Sequence, residues 1–118
     1  MSVPVLRRFT ATITALNTWV LATDDETTLN FFQTGPNAIL DAVNDPDPAS
    51  GNRYVIALWA NGKDTGVRFY SNAMSPSSAG RVAVGPIALK GGQYQLKVMQ
   101  VAGTPADYSF IVKFANPF

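Results

Sequence analysis

Phe9, Ala11 and Ile13 alternate with Thr10, Thr12 and Thr14, and a period of two predicts a strand with one inward face. The apolar run over residues 19–22 predicts the next strand, closed by the acidic turn Asp24-Asp25-Glu26. Residues 27–34, with Leu29, Phe31 and Phe32, predict another, ended by Gly35-Pro36. Residues 38–43 fit a short strand or about one and a half turns of helix, and we take them as strand. Two prolines and a glycine among Asp and Asn make residues 44–52 a loop, because neither element continues through them.

The second half is more regular. Residues 54–60 are nearly all apolar, as in a strand buried on both faces. Residues 61–66 predict a hairpin loop in which Asn61-Gly62 supplies positive φ angles, with residues 67–72 returning as strand. Residues 75–80 predict a second loop. Val82, Val84, Ile87 and Leu89 predict a strand bent or bulged at Gly85-Pro86, since proline donates nothing to a ladder. Tyr94, Leu96 and Val98 share a face after the Gly91-Gly92 turn. Tyr108, Phe110, Val112 and Phe114 do the same after Gly103-Thr104-Pro105. Ile56, Leu58, Leu96, Val98, Phe110 and Val112 are the expected inward positions.

Eight or nine short strands, with turn signals every roughly 8–12 residues, predict an all-β antiparallel β-sandwich, jelly-roll-like. Parallel βαβ folds are excluded because no amphipathic helical segments separate the strands. The expected organisation is an extended N-terminal arm over residues 1–8 and a single sandwich domain over residues 9–118.

Composition narrows the chemistry. The chain has 118 residues, no cysteine and no histidine, which removes disulfide scaffolds, zinc and iron–sulfur sites, and imidazole-based triads. A net charge of +1 argues against bulk electrostatic binding to nucleic acid. Charged residues make up 14%, against about 25% in ordinary soluble domains, so part of the outside is expected to lie against partners. No run reaches the ~18 apolar residues of a membrane span. The basic pair Arg7-Arg8 comes after a short apolar stretch, the reverse of a secretory signal. The expectation is a product made in a cytoplasm and not exported by a cleavable signal, with neither nucleic acid nor membrane as partner.

Candidate chemistry is sparse. Asp24, Asp25, Glu26, Asp41, Asp45 and Asp47 form an acidic first half, while residues 53–113 are mainly basic. Calcium takes several carboxylates on turns, but the spacing matches no loop signature, and ordinary solvated turns that start and stop strands are the expected reading. Two carboxylates could supply a general acid and base, yet nothing in the sequence buries one and not the other. No motif joins a serine to a lysine. The expectation is a protein that is not an enzyme and needs neither cofactor nor metal. Among the aromatic residues Trp19, Tyr54, Trp59, Tyr70 and Tyr94, most are expected in the core. Trp59 and Tyr70 are the candidates for a ligand platform, on which flat rings would stack against sugars. The apolar Val3, Pro4, Val5 and Leu6, together with Phe118, are the candidate partner contacts, because exposed apolar patches mark contact surfaces.

The size, the apolar arm, the neutral Thr/Ala/Gly-rich strands and the stretch from Gly80 through Arg81, Val82, Ala83, Val84 and Gly85 to Pro86 resemble the small auxiliary proteins that decorate or cement tailed-phage virions. Two later stretches resemble the last strands of secreted pre-peptidase C-terminal and related carbohydrate-binding sandwiches. These are Gly92-Gln93-Tyr94-Gln95-Leu96-Lys97-Val98 and Ala106-Asp107-Tyr108-Ser109-Phe110-Ile111-Val112. The first resemblance implies a structural, oligomeric subunit of a bacteriophage virion that contacts copies of itself and a capsid or other shell protein. The second implies a carbohydrate-binding module, the alternative reading. Neither transfers a functional residue.

Overall fold

Side chains that alternate between large apolar and polar build a pleated, half-buried surface, and here they do so in eleven strands among the described residues. The computed structural model describes residues 5–44, 52–70, 81–82 and 87–115. The strands are β1 (Val5–Ala11), β2 (Val20–Leu21), β3 (Thr23–Asp24), β4 (Phe32–Thr34), β5 (Ala38–Asn44) and β6 (Arg53–Ala60). They continue with β7 (Lys63–Tyr70), β8 (Arg81–Val82), β9 (Ile87–Leu89), β10 (Gly92–Ala102) and β11 (Tyr108–Ala115). One sheet has the order β3-β1-β11-β5-β8, with β9 also on β5; the other has the order β2-β10-β6-β7, with β4 also on β10. Every ladder is antiparallel.

The two sheets face each other across one apolar layer. Phe9, Leu40, Phe110 and Val112 from the first meet Ile56, Leu58, Phe69, Leu96 and Val98 from the second, all buried. The six inward positions expected from the sequence are among the buried residues. Aromatic pairs cross the layer at both ends. Tyr54 stacks on Tyr108 with centroids 3.8 Å apart, and Phe32 meets Phe9 at 5.8 Å and Phe114 at 5.2 Å. Buried Gln100 fixes the turn between β10 and β11. Its Nε2 donates to the carbonyls of Ala102 and Thr104, and its Oε1 accepts from the Ala106 amide.

Several boundaries differ from the sequence expectation. The first strand starts at Val5, where Val5 pairs with Phe114, Leu6 with Lys113 and Arg7 with Val112. Residues 5–8, expected as an arm, are therefore half of a central strand: β11 needs hydrogen-bonding partners out to Phe114, and Arg7 breaks the apolar alternation that would have revealed it. Between β2 and β3 the chain changes sheet at buried Ala22, whose amide donates to the Leu96 carbonyl at 2.8 Å. Residues 27–31 are turn and loop, not strand, because Thr28 N–H donates to Asp24 (2.7 Å) and Asp24 N–H to Leu29 (2.8 Å). Strand β7 starts at Lys63, leaving Asn61-Gly62 as a two-residue turn with φ of 51° and 78°. These interruptions raise the strand number above the expected eight or nine. The loops expected over residues 45–51 and 75–80, and Gly85-Pro86, lie outside the described residues.

Truncating Phe110 to Ala, at the centre of β11 between Phe9 and Tyr108, is expected to destabilise the domain by about 3–5 kcal/mol. Urea denaturation checks this, and a loss below about 0.5 kcal/mol would mean that β11 presents its other face to the core.

Candidate functional site

The face of the second sheet that points away from the core carries apolar and aromatic side chains where a solvated sheet would carry polar ones. Register fixes its members. Gln95 pairs with Trp59, Lys97 with Ala57 and with Leu21, Met99 with Val55, and Ala57 with Arg68, and none of these shares the parity of the buried positions Leu58, Leu96 and Val98. Trp19, Leu21, Val55, Trp59 and Met99 are half-buried there.

Two cations organise this face. The Arg68 guanidinium lies 5.2 Å from the centre of the Trp19 ring, and the Lys97 ammonium lies 3.7 Å from that of Trp59. Strands β2 and β7 are three strand spacings apart, roughly 14 Å, so Trp19 and Arg68 meet above β10 and β6. That bridge explains why Ala57 is fully buried although its parity points outward. Asp64 anchors the bridge through a bidentate pair with Arg68, at 2.6 Å to Nη2 and 2.8 Å to Nη1. The Arg68 guanidinium, and then the Gly66 amide, hold the Asp64 carboxyl down to about 2 from 3.8.

The expected site residues that are described lie on three strands, β1, β6 and β7. Trp59 is half-buried, with Lys97 across one ring face and its buried Nε1 without a hydrogen-bond partner among the described residues. Tyr70 pairs with Val55, four residues along β6 from Trp59, so the ladder separates the two backbone positions by roughly 13 Å. Tyr54 and Tyr94 are core residues. Val5 is in the β1 ladder opposite Phe114. Leu6 is 62% exposed on the outward face of the first sheet, beside Lys113. Val3, Pro4 and Phe118 lie outside the described residues.

The acidic cluster separates in the same way. Asp24 turns inward and is 2% exposed. Its carboxylate takes one hydrogen bond from Arg7 Nη1 at 3.1 Å and one from the Glu26 amide at 2.9 Å, while Asp25 and Glu26 face solvent. Arg7 points between the sheets, 21% exposed, and its Nε also approaches Glu26 at 3.5 Å. Asp45 and Asp47 lie outside the described residues. Next to the Arg7–Asp24 pair, a cavity of about 230 Å³ opens between the sheets, walled by Phe9, Leu29, Phe31, Phe32 and Phe114. Sequence reasoning identified neither this cavity nor the Trp19–Arg68 bridge. The adjacent phenylalanines at 31 and 32 are the one local sign of the cavity, since two consecutive positions of the strand that the sequence predicts there cannot both face a core.

Replacing Arg7 with Met leaves the Asp24 carboxylate buried beside an apolar side chain, and a loss of about 3 kcal/mol in urea denaturation is expected. For Asp64 the sign comes from the lowered value: its ion pair contributes above the ordinary 3.8 and is lost as pH falls toward about 2. Carboxyl-carbon NMR should find Asp64 titrating near 2, and Arg68→Gln should return it toward 3.8. Comparison of the chain with protein-family models, curated proteins and solved structures finds no match in any of the three.

Proposed function

We propose that the chain is a non-enzymatic structural protein that works by protein–protein contact, as a homo-oligomeric subunit decorating or cementing a virion capsid. One observation carries this reading: the outward face of the second sheet presents Trp19, Leu21, Val55, Trp59 and Met99 around Arg68 and Lys97. Tryptophan, methionine and arginine are the side chains enriched in the centres of protein interfaces, where flat rings bury much area at low entropic cost. Exposed Leu6 on the opposite face adds a second apolar contact point. The low charge content fits a surface that is largely covered in use.

A jelly-roll form of the sandwich belongs to the same reading. The strand order supports it: the outermost described strands of the sequence, β1 and β11, pair in one sheet, and consecutive strands lie in different sheets except β6 with β7 and β8 with β9. The carbohydrate-binding alternative has less behind it, because Lys97 covers the Trp59 ring.

Native mass spectrometry of the purified chain should show a closed oligomer, and Met99→Glu should convert it to monomer while the β-sheet circular dichroism spectrum is retained. A wild-type monomer that is retained on immobilised polysaccharide would replace this reading with the binding module.

A further inference from the structure

We infer that the cavity between the sheets is a binding site for small neutral ring compounds that carry one hydrogen-bond acceptor, such as a benzylic alcohol or a phenol. Its size comes first. At about 230 Å³ it exceeds the roughly 150 Å³ of an apolar cavity that takes benzene, so one substituted ring fits. The walls come second. Phe9, Phe31, Phe32 and Phe114 surround it, and Phe32 already meets Phe9 edge-on and Phe114 at 60°, the geometry in which ring edges and faces attract. Leu29 stands at its margin 45% exposed, so a guest would also cover apolar surface now left to water.

The polar group selects among guests. Arg7 lines the cavity, and its Nη1 and Nε are held by Asp24 and Glu26, whereas Nη2 has no partner among the described residues. A hydroxyl or carbonyl oxygen can accept from Nη2. Charge decides against a carboxylate: two carboxylates already face one guanidinium, so a third would meet net repulsion and give up its own hydration on entering. The walls are held by the chain's own hydrogen bonds. The loop carrying Leu29 and Phe31 is tied by Thr28 N–H to the Asp24 carbonyl, by Asp24 N–H to Leu29, and by Glu26 N–H to the Asp24 carboxylate. A site formed in advance spends none of its affinity on ordering.

Titrating benzyl alcohol, toluene and benzoate into the ¹⁵N-labelled chain tests this by amide chemical shifts. Benzyl alcohol should shift the amides of Phe9, Leu29, Phe32 and Phe114 saturably, with a dissociation constant on the order of 1 mM. Toluene, which lacks the acceptor, and benzoate, which adds a charge, should each bind about tenfold more weakly. Phe31→Ala, a change in a half-buried wall residue, should weaken benzyl alcohol by about tenfold while the folded spectrum is kept. The inference is overturned if no ring compound gives saturable shifts, if the shifts fall around Trp19 and Trp59 instead, if benzoate binds as well as benzyl alcohol, or if Phe31→Ala leaves the affinity unchanged.

Discussion

A guanidinium on the inward face of a strand must find its countercharge inside the protein, and Arg7 sets that constraint for one whole edge of this sandwich. Its alternating neighbour Phe9 belongs to the core, so the side chain at position 7 points between the sheets. Asp24 answers it, and to do so the chain has to leave the second sheet at Ala22 and pair with β1 over Thr23 and Asp24. The pair also shapes the next stretch of chain. Asp24 accepts the amide of Glu26 and the amide of Thr28 and so closes the turn that sends the chain across to β4. Replacing such a pair by apolar side chains of matching shape is often neutral in other proteins, so its value here is better sought in geometry than in stability. It keeps the edge from collapsing into an uninterrupted apolar core.

The outward face of the second sheet solves a different problem. Large rings exposed flat on a sheet would be a liability for a free molecule, since edge and face contacts between copies are unselective. Here each tryptophan carries a cation, and cation–π contact is worth roughly 0.5–1 kcal/mol at exposed sites. The rings are thereby pinned in one orientation and partly screened. A partner with a complementary surface would meet a shaped plate, in which Asp64 holds Arg68 and Arg68 holds Trp19.

What the sequence made legible was whatever a single strand decides for itself. The inward sets of β10 and β11 came from period two alone, as did the Asn61-Gly62 turn from the need for positive φ. What stayed hidden was whatever depends on register between distant strands. Lys97 covers Trp59 only because β6 and β10 align Gln95 with Trp59, which places Lys97 on the neighbouring diagonal. The cavity draws on positions from 7 to 114, and Phe31-Phe32 is its one local sign. Arg7 misled for a physical reason: a charge at an inward position reads as the end of a strand until its buried partner is known. The acidic residues looked like one cluster because they are close in sequence, yet one points inward and its two neighbours outward.

The pairing of β1 with β11 also has a temporal side. Thr10 and Ser109 share a hydrogen bond across 99 positions, so the first strand is synthesised long before the strand that covers it. At typical elongation rates that interval is about 5–20 s, during which Phe9 and its neighbours have only the two-residue strand β3 to pair with. An unpaired apolar strand in a crowded cell is a seed for aggregation, and flanking charges are the usual safeguard. Arg7 and Arg8 stand beside Phe9 in the nascent chain. Before it becomes the inward half of an ion pair, Arg7 is a flanking charge of that kind.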